Sequence, residues 1–231
     1  MEQFNNLDGV SFLKGLGKES VDLILTDPPY NISRDNNFKT MGRSGIDFGE
    51  WDKGFDTLSW FNAAYSILKK GGSLVFFNDW KNIGEMAKYA ESVGFEIKDM
   101  IRWEKSNPMP RNRDRRYVTD YEMAVWLAKP KGKWTFNRIS DTYDRPLLQY
   151  VRPNRRHRIH PTQKPVALLE ELFKRNSNEG DLVVDPFAGS CSLAIACTLQ
   201  NREFLVNDLD TDMLLKGKEW HKNVTEGLQH K

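Results

Sequence analysis

Asp27-Pro28-Pro29-Tyr30 puts a carboxylate, a main-chain carbonyl and an aromatic ring within four residues. Asp27 and Pro28 each precede a proline, which biases both toward extended backbone. The two prolines have fixed φ and no N–H to donate. The turn is therefore stiff, and it is rich in acceptors. Two acceptors beside a ring suit an amino group on a flat base: each amino hydrogen finds an oxygen, and the base finds a face to stack on. The bland alternative is a proline-stiffened turn with no chemistry.

A second constellation lies at Asp185-Pro186-Phe187-Ala188-Gly189-Ser190, between an apolar run at 181–184 and a helical run at 192–199. A strand, an acidic residue, a glycine-containing turn and a helix make a nucleotide-type pocket, and an acidic residue at the end of the next strand can bind a ribose diol. Asp208 occupies that place, after the run at 204–206. The phosphate-cradling patterns G-x-G-x-x-G and G-x-x-x-x-G-K-[ST] are both absent. The pocket reads as one for a nucleoside without a pyrophosphate, and S-adenosylmethionine is such a ligand. Taken alone, the stretch is equally well an ordinary strand-to-helix turn.

The charge is unevenly spread. Residues 98–158 hold sixteen Lys and Arg against seven Asp and Glu, a local +9 inside a chain of 231 residues and net +2. A basic middle in an acidic frame suggests a polyanion contact confined to one region. Arg111, Arg113, Arg115 and Arg116 cluster in 106–118; Arg152, Arg155, Arg156 and Arg158, with His157 and His160, cluster in 151–160. Guanidinium groups bind phosphates and fork onto guanine edges, and Trp134, Phe136, Tyr143 and Tyr150 offer stacking surfaces. The competing reading is a solvated basic face. Cys191 and Cys197 are the only cysteines, so neither a disulfide framework nor a zinc site is expected. There is no apolar run near 18 residues and no signal-peptide pattern, which reads as a soluble cytoplasmic protein away from membranes.

These residues need elements to hold them. Val21–Thr26 is a short apolar, β-branched run, the pattern of a buried parallel strand ending at the proline turn. Helices are predicted over 10–15, 57–68, 82–92, 165–175, 192–199 and 211–224, and strands over 73–77, 97–103, 121–127, 181–184 and 204–206. Lys69-Lys70-Gly71-Gly72 reads as helix-stop chemistry. Residues 31–56 are polar and aperiodic, a loop of a length usually tied to function. Strands alternating with helices predict an α/β, doubly wound sheet.

Three stretches in order, DPPY at 27–30, HPTQKP at 160–165 and DPFAGS at 185–190, resemble the beta-class amino-methyltransferases of DNA found in restriction-modification systems. The resemblance spans nearly the whole chain. It implies a mostly parallel, Rossmann-like methyltransferase sheet with circularly permuted motif order and a small inserted target-recognition region. Residues 1–231 would form one domain, with 31–56 and 106–160 as target-recognition segments. The implied activity is S-adenosylmethionine-dependent methylation of the adenine amino group in a specific sequence of double-stranded DNA, by base flipping and in-line transfer. DPPY rather than SPPY points to adenine.

Carried over by position, Asp27, the Pro28 carbonyl and Tyr30 hold the target base, beside Pro29 and Asn31. Asp185, Phe187 and Gly189 form the cofactor loop, which Asp27 borders. Asp208 takes the ribose position, and Asp8 the acidic position near the cofactor's adenine. His160 and Lys164 lie where the methionine end is met. Arg111, Arg113, Arg115, Arg116, Arg155 and Arg156 face DNA, and no metal is implied. A companion restriction endonuclease and a homodimer are both compatible with this family. One departure stands out: the loop usually reads F-x-G-x-G, and Cys191 fills the last glycine position, where a side chain is expected to crowd the cofactor or shift the turn. Asp208 is also one methylene shorter than the usual glutamate. Cytosine amino-methylation, RNA methylation and a DNA-binding protein with a weakened cofactor pocket are the competing functions.

Overall fold

The computed structural model describes residues 3–30, 55–109, 114–115, 117–154, 156 and 158–229. Along the chain come β1 (Phe4–Asn5), α1 (Gly9–Lys14), β2 (Val21–Thr26), α2 (Trp60–Ile67), β3 (Leu68–Asn78), α3 (Ile83–Val93), β4 (Glu96–Lys105), β5 (Tyr121–Ala128), β6 (Leu147–Tyr150), α4 (Val166–Asn176), β7 (Leu182–Asp185), α5 (Ser192–Leu199), β8 (Glu203–Asn207) and α6 (Thr211–Gln229). The strands form one sheet in the order β1-β8-β7-β2-β3-β5-β4-β6. Every pairing is parallel except the two that β5 makes with β3 and β4.

Alternating side chains of the central strands feed two cores. Leu23 and Leu25 of β2 pack with Leu168 and Leu172 of α4 and Leu193 of α5. Ile24, on the opposite face, packs with Phe12 of α1 and Trp60 and Ile67 of α2. Both faces of β2 are covered, which is why its sequence is continuously apolar rather than alternating. From β2 the chain moves through α2 to β3 on one side, and from β7 through α5 to β8 on the other. The β2/β7 boundary is therefore where strand order reverses, and the crevice beyond the carboxyl ends of such strands is where open α/β sheets bind ligands.

Apart from the two-residue β1, two elements differ from the sequence expectation. Helix α2 ends at Ile67, and Lys69-Lys70-Gly71-Gly72 belongs to β3. A register shift between Val21 and Leu23 accommodates it. The basic cap that the helix end wants comes from elsewhere: Lys129 Nζ donates to the carbonyls of Tyr65 and Leu68, at 2.9 Å each. Lys69 pairs instead with Asp22, 2.7 Å away. The other difference is β6, which carries no strand prediction. It pairs parallel with β4 from Arg102↔Leu147 to Lys105↔Tyr150. The pairing has a consequence for charge. The chain leaves β4 after Lys105 and β6 after Tyr150, so the described first residues of the two basic stretches start side by side. Asn107 and Arg152 tie them, the Arg152 N–H donating to Asn107 Oδ1 at 2.7 Å and Asn107 Nδ2 to the Arg152 carbonyl at 3.2 Å.

Gly71 is where the β3 bend is most demanding. Its φ is +81°, and a Cβ there would lie 2.5 Å from the Lys133 carbonyl oxygen. The left-handed conformation alone costs a non-glycine residue about 1–2 kcal/mol. Gly71→Ala is expected to lower the melting temperature by several degrees, at roughly 2–4 °C per kcal/mol for a chain this size. Differential scanning calorimetry checks this, and an unchanged melting temperature would show that the loop carrying Lys133 does not approach so closely.

Candidate active site

The proline turn leaves β2 and the Asp185 turn leaves β7, and these strands are direct neighbours through Leu23↔Val183 and Ile24↔Val184. Thr26, the last residue of β2, donates its hydroxyl to Asp185 Oδ1 at 2.7 Å. The two turns face one cleft of about 700 Å³. Asp8, Asp27, Pro28, Pro29, Tyr30, His160, Lys164, Asp185, Phe187, Gly189 and Asp208 all line it.

On the β7 side the turn is held from both ends. Asp185 Oδ1 also accepts the Phe187 N–H at 3.0 Å. Asp208 Oδ2 accepts the Gly189 N–H at 2.6 Å, and its Oδ1 the Asp210 N–H at 2.9 Å. Asn207, at the end of β8, accepts the Ala188 N–H on its carbonyl at 2.8 Å and donates its side-chain amide to the Pro186 carbonyl at 3.1 Å. Phe187 stands edge-on to Phe55 and Trp60, with ring centroids 5.3 and 6.0 Å away. A Cβ at Gly9 would lie 2.4 Å from its Cε1, so α1 approaches this ring only because Gly9 has no side chain. Asp8 caps α1, accepting the Ser11 N–H at 2.9 Å.

Burial raises the Asp185 carboxyl to about 7, against the hydrogen bonds from Thr26 and Phe187. Burial likewise raises Asp208, opposed by its two backbone N–H donors. It lowers His160, favouring the neutral imidazole, whose Nδ1 lies 3.0 Å from the Thr162 hydroxyl. An uncompensated pair of buried acids favours a cationic ligand.

On the β2 side the acids already have a cation. Asp27 Oδ1 accepts the Tyr30 hydroxyl at 2.5 Å, and Oδ2 accepts Lys164 Nζ. Lys164 Nζ is also 3.0 Å from Glu122 Oε2, and Glu122 Oε1 is 2.7 Å from Lys105 Nζ. Burial raises Asp27, with Lys164 opposing. Burial also pushes Glu122 up, but two ammonium groups outweigh it and bring the carboxyl to about 2. Burial would lower Lys164, and the facing Asp27 and Glu122 more than offset it, so its pKa is raised. The Tyr30 carbonyl accepts Asn82 Nδ2 at 2.6 Å, which clamps the turn to the start of α3. Asn78 Oδ1 accepts the Asp79 N–H at 2.9 Å and Asn82 Nδ2 at 3.1 Å. The buried Asn78 Nδ2 has no partner among the described residues.

The resemblance places Lys164 at the methionine end of a cofactor; here its ammonium sits on Asp27 and Glu122. Of the arginines expected to face DNA, Arg115 and Arg156 are exposed. Asn31, Arg111, Arg113, Arg116 and Arg155 lie outside the described residues, as does 31–54 of the expected substrate loop. Arg152 lines the cleft. Glu122, Lys105 and Asn78 were missed by sequence reasoning. Glu122 had one visible signal, a glutamate at the mouth of an otherwise apolar strand.

Cys191 does not line the cleft. It adopts φ +57°, the left-handed region where glycine is at ease, and it is fully buried. Its Sγ lies 2.6 Å from where a Cβ at Gly217 of α6 would be. The side chain is turned away from the pocket and received by a glycine on the far helix, so the crowding expected from the sequence is not what the structure shows.

A sequence-family profile for DNA methylase matches residues 21–215. The chain is similar to the type II methyltransferase M2.MboI of Moraxella bovis, 26% identical over 255 residues that cover 99% of this chain and 91% of that one. Its structure is similar to that of M1.HpyAVI, solved as a SAM complex, with a TM-score of 0.76 and 34% identity over 95% of this chain and 98% of the other. The PvuII DNA methyltransferase, described as cytosine-N4-specific, shares the fold with a TM-score of 0.73 at 16% identity, over 93% and 84% of the two chains.

If the Cys191 thiol faces α6, removing it should leave the pocket alone. Cys191→Gly is expected to keep the dissociation constant for S-adenosylmethionine within about threefold, under 1 kcal/mol. Calorimetric titration decides, and a tighter-binding variant beyond that range would show that the thiol intrudes.

Proposed function

The chain belongs to the DNA methylases, and from that premise we propose that it methylates the exocyclic amino group of adenine in a specific sequence of double-stranded DNA, using S-adenosylmethionine. The observation that carries the reading is the shared cleft: an acceptor turn and a nucleoside-type turn on adjacent strands, opening on one space. The residues present fit the cofactor. Asp208 and Asp185 are acids of raised proton affinity at the ends of β8 and β7, suited to a ribose diol and to the cationic amino-acid end. Phe187 offers a ring, and no phosphate cradle is built. Asp8, Gly189, His160 and Lys164 complete the same wall. When bound, S-adenosylmethionine supplies a methyl carbon on a cationic sulfur, to which the base nitrogen can bond as the carbon–sulfur bond breaks.

The amino nitrogen is a poor nucleophile because its lone pair is delocalised into the ring, and it is out of reach in a duplex, so the base is flipped out. Tyr30 stacks on it. Asp27 and the Pro28 carbonyl accept the amino hydrogens and draw the nitrogen toward tetrahedral geometry. That interaction strengthens as attack proceeds, which is the kind that raises turnover. Asp27, with its raised proton affinity, can also take the proton that the nitrogen sheds once it carries the methyl group. Pro29 and Asn31 shape the turn's outer side, and the basic segments around Arg111–Arg116 and Arg155–Arg156 hold the backbone of the duplex. The kinship with type II enzymes supports a companion restriction endonuclease that reads the same sequence. Among the described residues no helix is long and apolar enough to cross a membrane.

DNA incubated with protein and S-adenosylmethionine, then digested to nucleosides and sequenced with modification detection, tests the reading. N6-methyladenine at one short sequence is expected; N4-methylcytosine would replace adenine by cytosine as the target. Asp27→Ala should lower methyl transfer by roughly a hundredfold to a thousandfold or more while cofactor binding persists. Near-normal turnover in that variant would discredit the acceptor assignment.

Cofactor affinity should depend on pH through Asp185. Burial brings its carboxyl up to about 7, and a cation bound beside it favours the ionised form. Binding therefore releases a proton, and affinity rises as pH increases through about 7. Calorimetry in two buffers of different ionisation enthalpy at pH 7 reads the proton directly. Asp185→Asn should bind more weakly and lose the release; an unchanged proton count would remove Asp185 from this role.

A further inference from the structure

Lys164 has two counter-ions, and only one belongs to the acceptor turn. Its side chain is 6% exposed, set between Asp27 Oδ2 and Glu122 Oε2. The antiparallel sense of β5 brings its first residues, Tyr121 and Glu122, to the edge where β2 and β3 end. Register with β4 sets Glu122 opposite Trp103, two residues before Lys105. Asp27 and Glu122 are thus balanced by Lys164 and Lys105. Both Asp27 oxygens are taken in this state, by the Tyr30 hydroxyl and by Lys164. A target amino group has to take one of those places.

We infer that Glu122 is a positioning residue, which shares the Lys164 ammonium with Asp27 and keeps it as a counter-ion when a target amino group takes the Asp27 oxygen. The inference rests on the methylation reading above. Stripping an ammonium from its sole buried partner is strongly unfavourable, because an unpaired charge is left behind. With Glu122 at 3.0 Å the ammonium need only lean from one carboxylate to the other. Glu122 also lies 3.4 Å from the Tyr30 hydroxyl, so it supports both groups that Asp27 holds.

The groups that face Asp27 are Tyr30 from its own turn, Lys164 from the segment before α4, Glu122 from β5 with Lys105 of β4 behind it, and Asp185 from β7. Glu122→Gln removes a negative charge from this set and leaves Lys164 to Asp27 alone. Asp27 then holds its proton less tightly, and the amino group competes with an exclusive ion pair. Lys105→Met does the reverse: Glu122, relieved of its outer partner, draws Lys164 away from Asp27, which then holds its proton more tightly.

The test is the pH profile of kcat/KM for duplex DNA containing the methylated sequence, measured on the full chain at saturating S-adenosylmethionine. Glu122→Gln is expected to lower kcat/KM about tenfold with cofactor affinity little changed, and to move the acid limb to lower pH by roughly half a unit or more. Lys105→Met is expected to move the limb the opposite way, and it carries the test if Glu122→Gln does not fold. Glu122→Asp, which keeps the charge, should restore much of the activity. Loss of activity with an unmoved limb in the variants, or shifts of the same sign in both, would reduce Glu122 to a structural residue and overturn the inference. A wild-type protein that methylates no DNA at any pH would instead overturn the methylation reading itself.

Discussion

The parallel pairing of β2 with β7 is the constraint on which the rest depends. Asp27 and Asp185 are 158 positions apart in the sequence, yet each is the first polar residue beyond or at the end of one of two adjacent strands. The Thr26 hydroxyl on Asp185 makes that adjacency chemical as well as topological. A hydrogen bond to a buried carboxyl fixes the carboxyl's orientation and partly offsets its loss of water. Because β2 and β7 pair directly, the order in which the two motifs occur along the chain does not matter to the geometry. Strand order reverses at this boundary, and among the described residues α2 and α5 leave β2 and β7 in opposite directions, to β3 and to β8.

That space is unusual in its electrostatics. Carboxyl groups crowd it, and three of them, Asp27, Asp185 and Asp208, have proton affinities raised by burial. Another, Glu122, is ionised because Lys164 and Lys105 both face it. Burying acids without enough cations costs stability that the apolar cores on both sheet faces must supply. The arrangement makes sense for a cleft whose ligand carries positive charge at sulfur and at its amino end. The β2 side holds its own cation in Lys164, whereas among the described residues no lysine or arginine pairs with Asp185 or Asp208 on the β7 side. The two halves of the cleft are thereby distinguished by charge before either ligand arrives.

The sheet was largely legible in the sequence because apolar runs of four to six residues alternate with helical periodicity, and both turns follow such runs. β6 was not legible: Leu147–Tyr150 is short, one face of it is exposed, and only its pairing with β4 makes it a strand. The β3 start was misread for a related reason. Lys69 to Gly72 carries local helix-stop chemistry, but the cap comes from Lys129, 61 positions away from the Leu68 carbonyl it caps, and no local rule reports that. The motif residues stood out in the sequence because their types are restricted by chemistry, and they line one cleft. Glu122 and Lys105 escaped because their places arise from register across β4 and β5, and Asn78 because its amide nitrogen, without a partner among the described residues, is defined only by what surrounds it. The arginines show the opposite limit: their density announced a basic surface, and nothing in the sequence said that β6 would pair with β4 and tie Arg152 to Asn107.

Cys191 separates two reasons for a glycine in a cofactor loop. One is room for the ligand; the other is backbone conformation. At φ +57° the position keeps the conformation that favours glycine, although a cysteine fills it. The strain is modest for a single residue and is held by the turn, whose Cys191 N–H donates to the Ala188 carbonyl at 2.8 Å. The side chain then has to go somewhere, and the left-handed backbone directs it to the face where α6 packs. Gly217 is the complementary vacancy: with any Cβ there, either the thiol or the helix would have to move. With the thiol received against Gly217 and the left-handed backbone kept, the position meets the demand of backbone conformation without placing a side chain in the cleft.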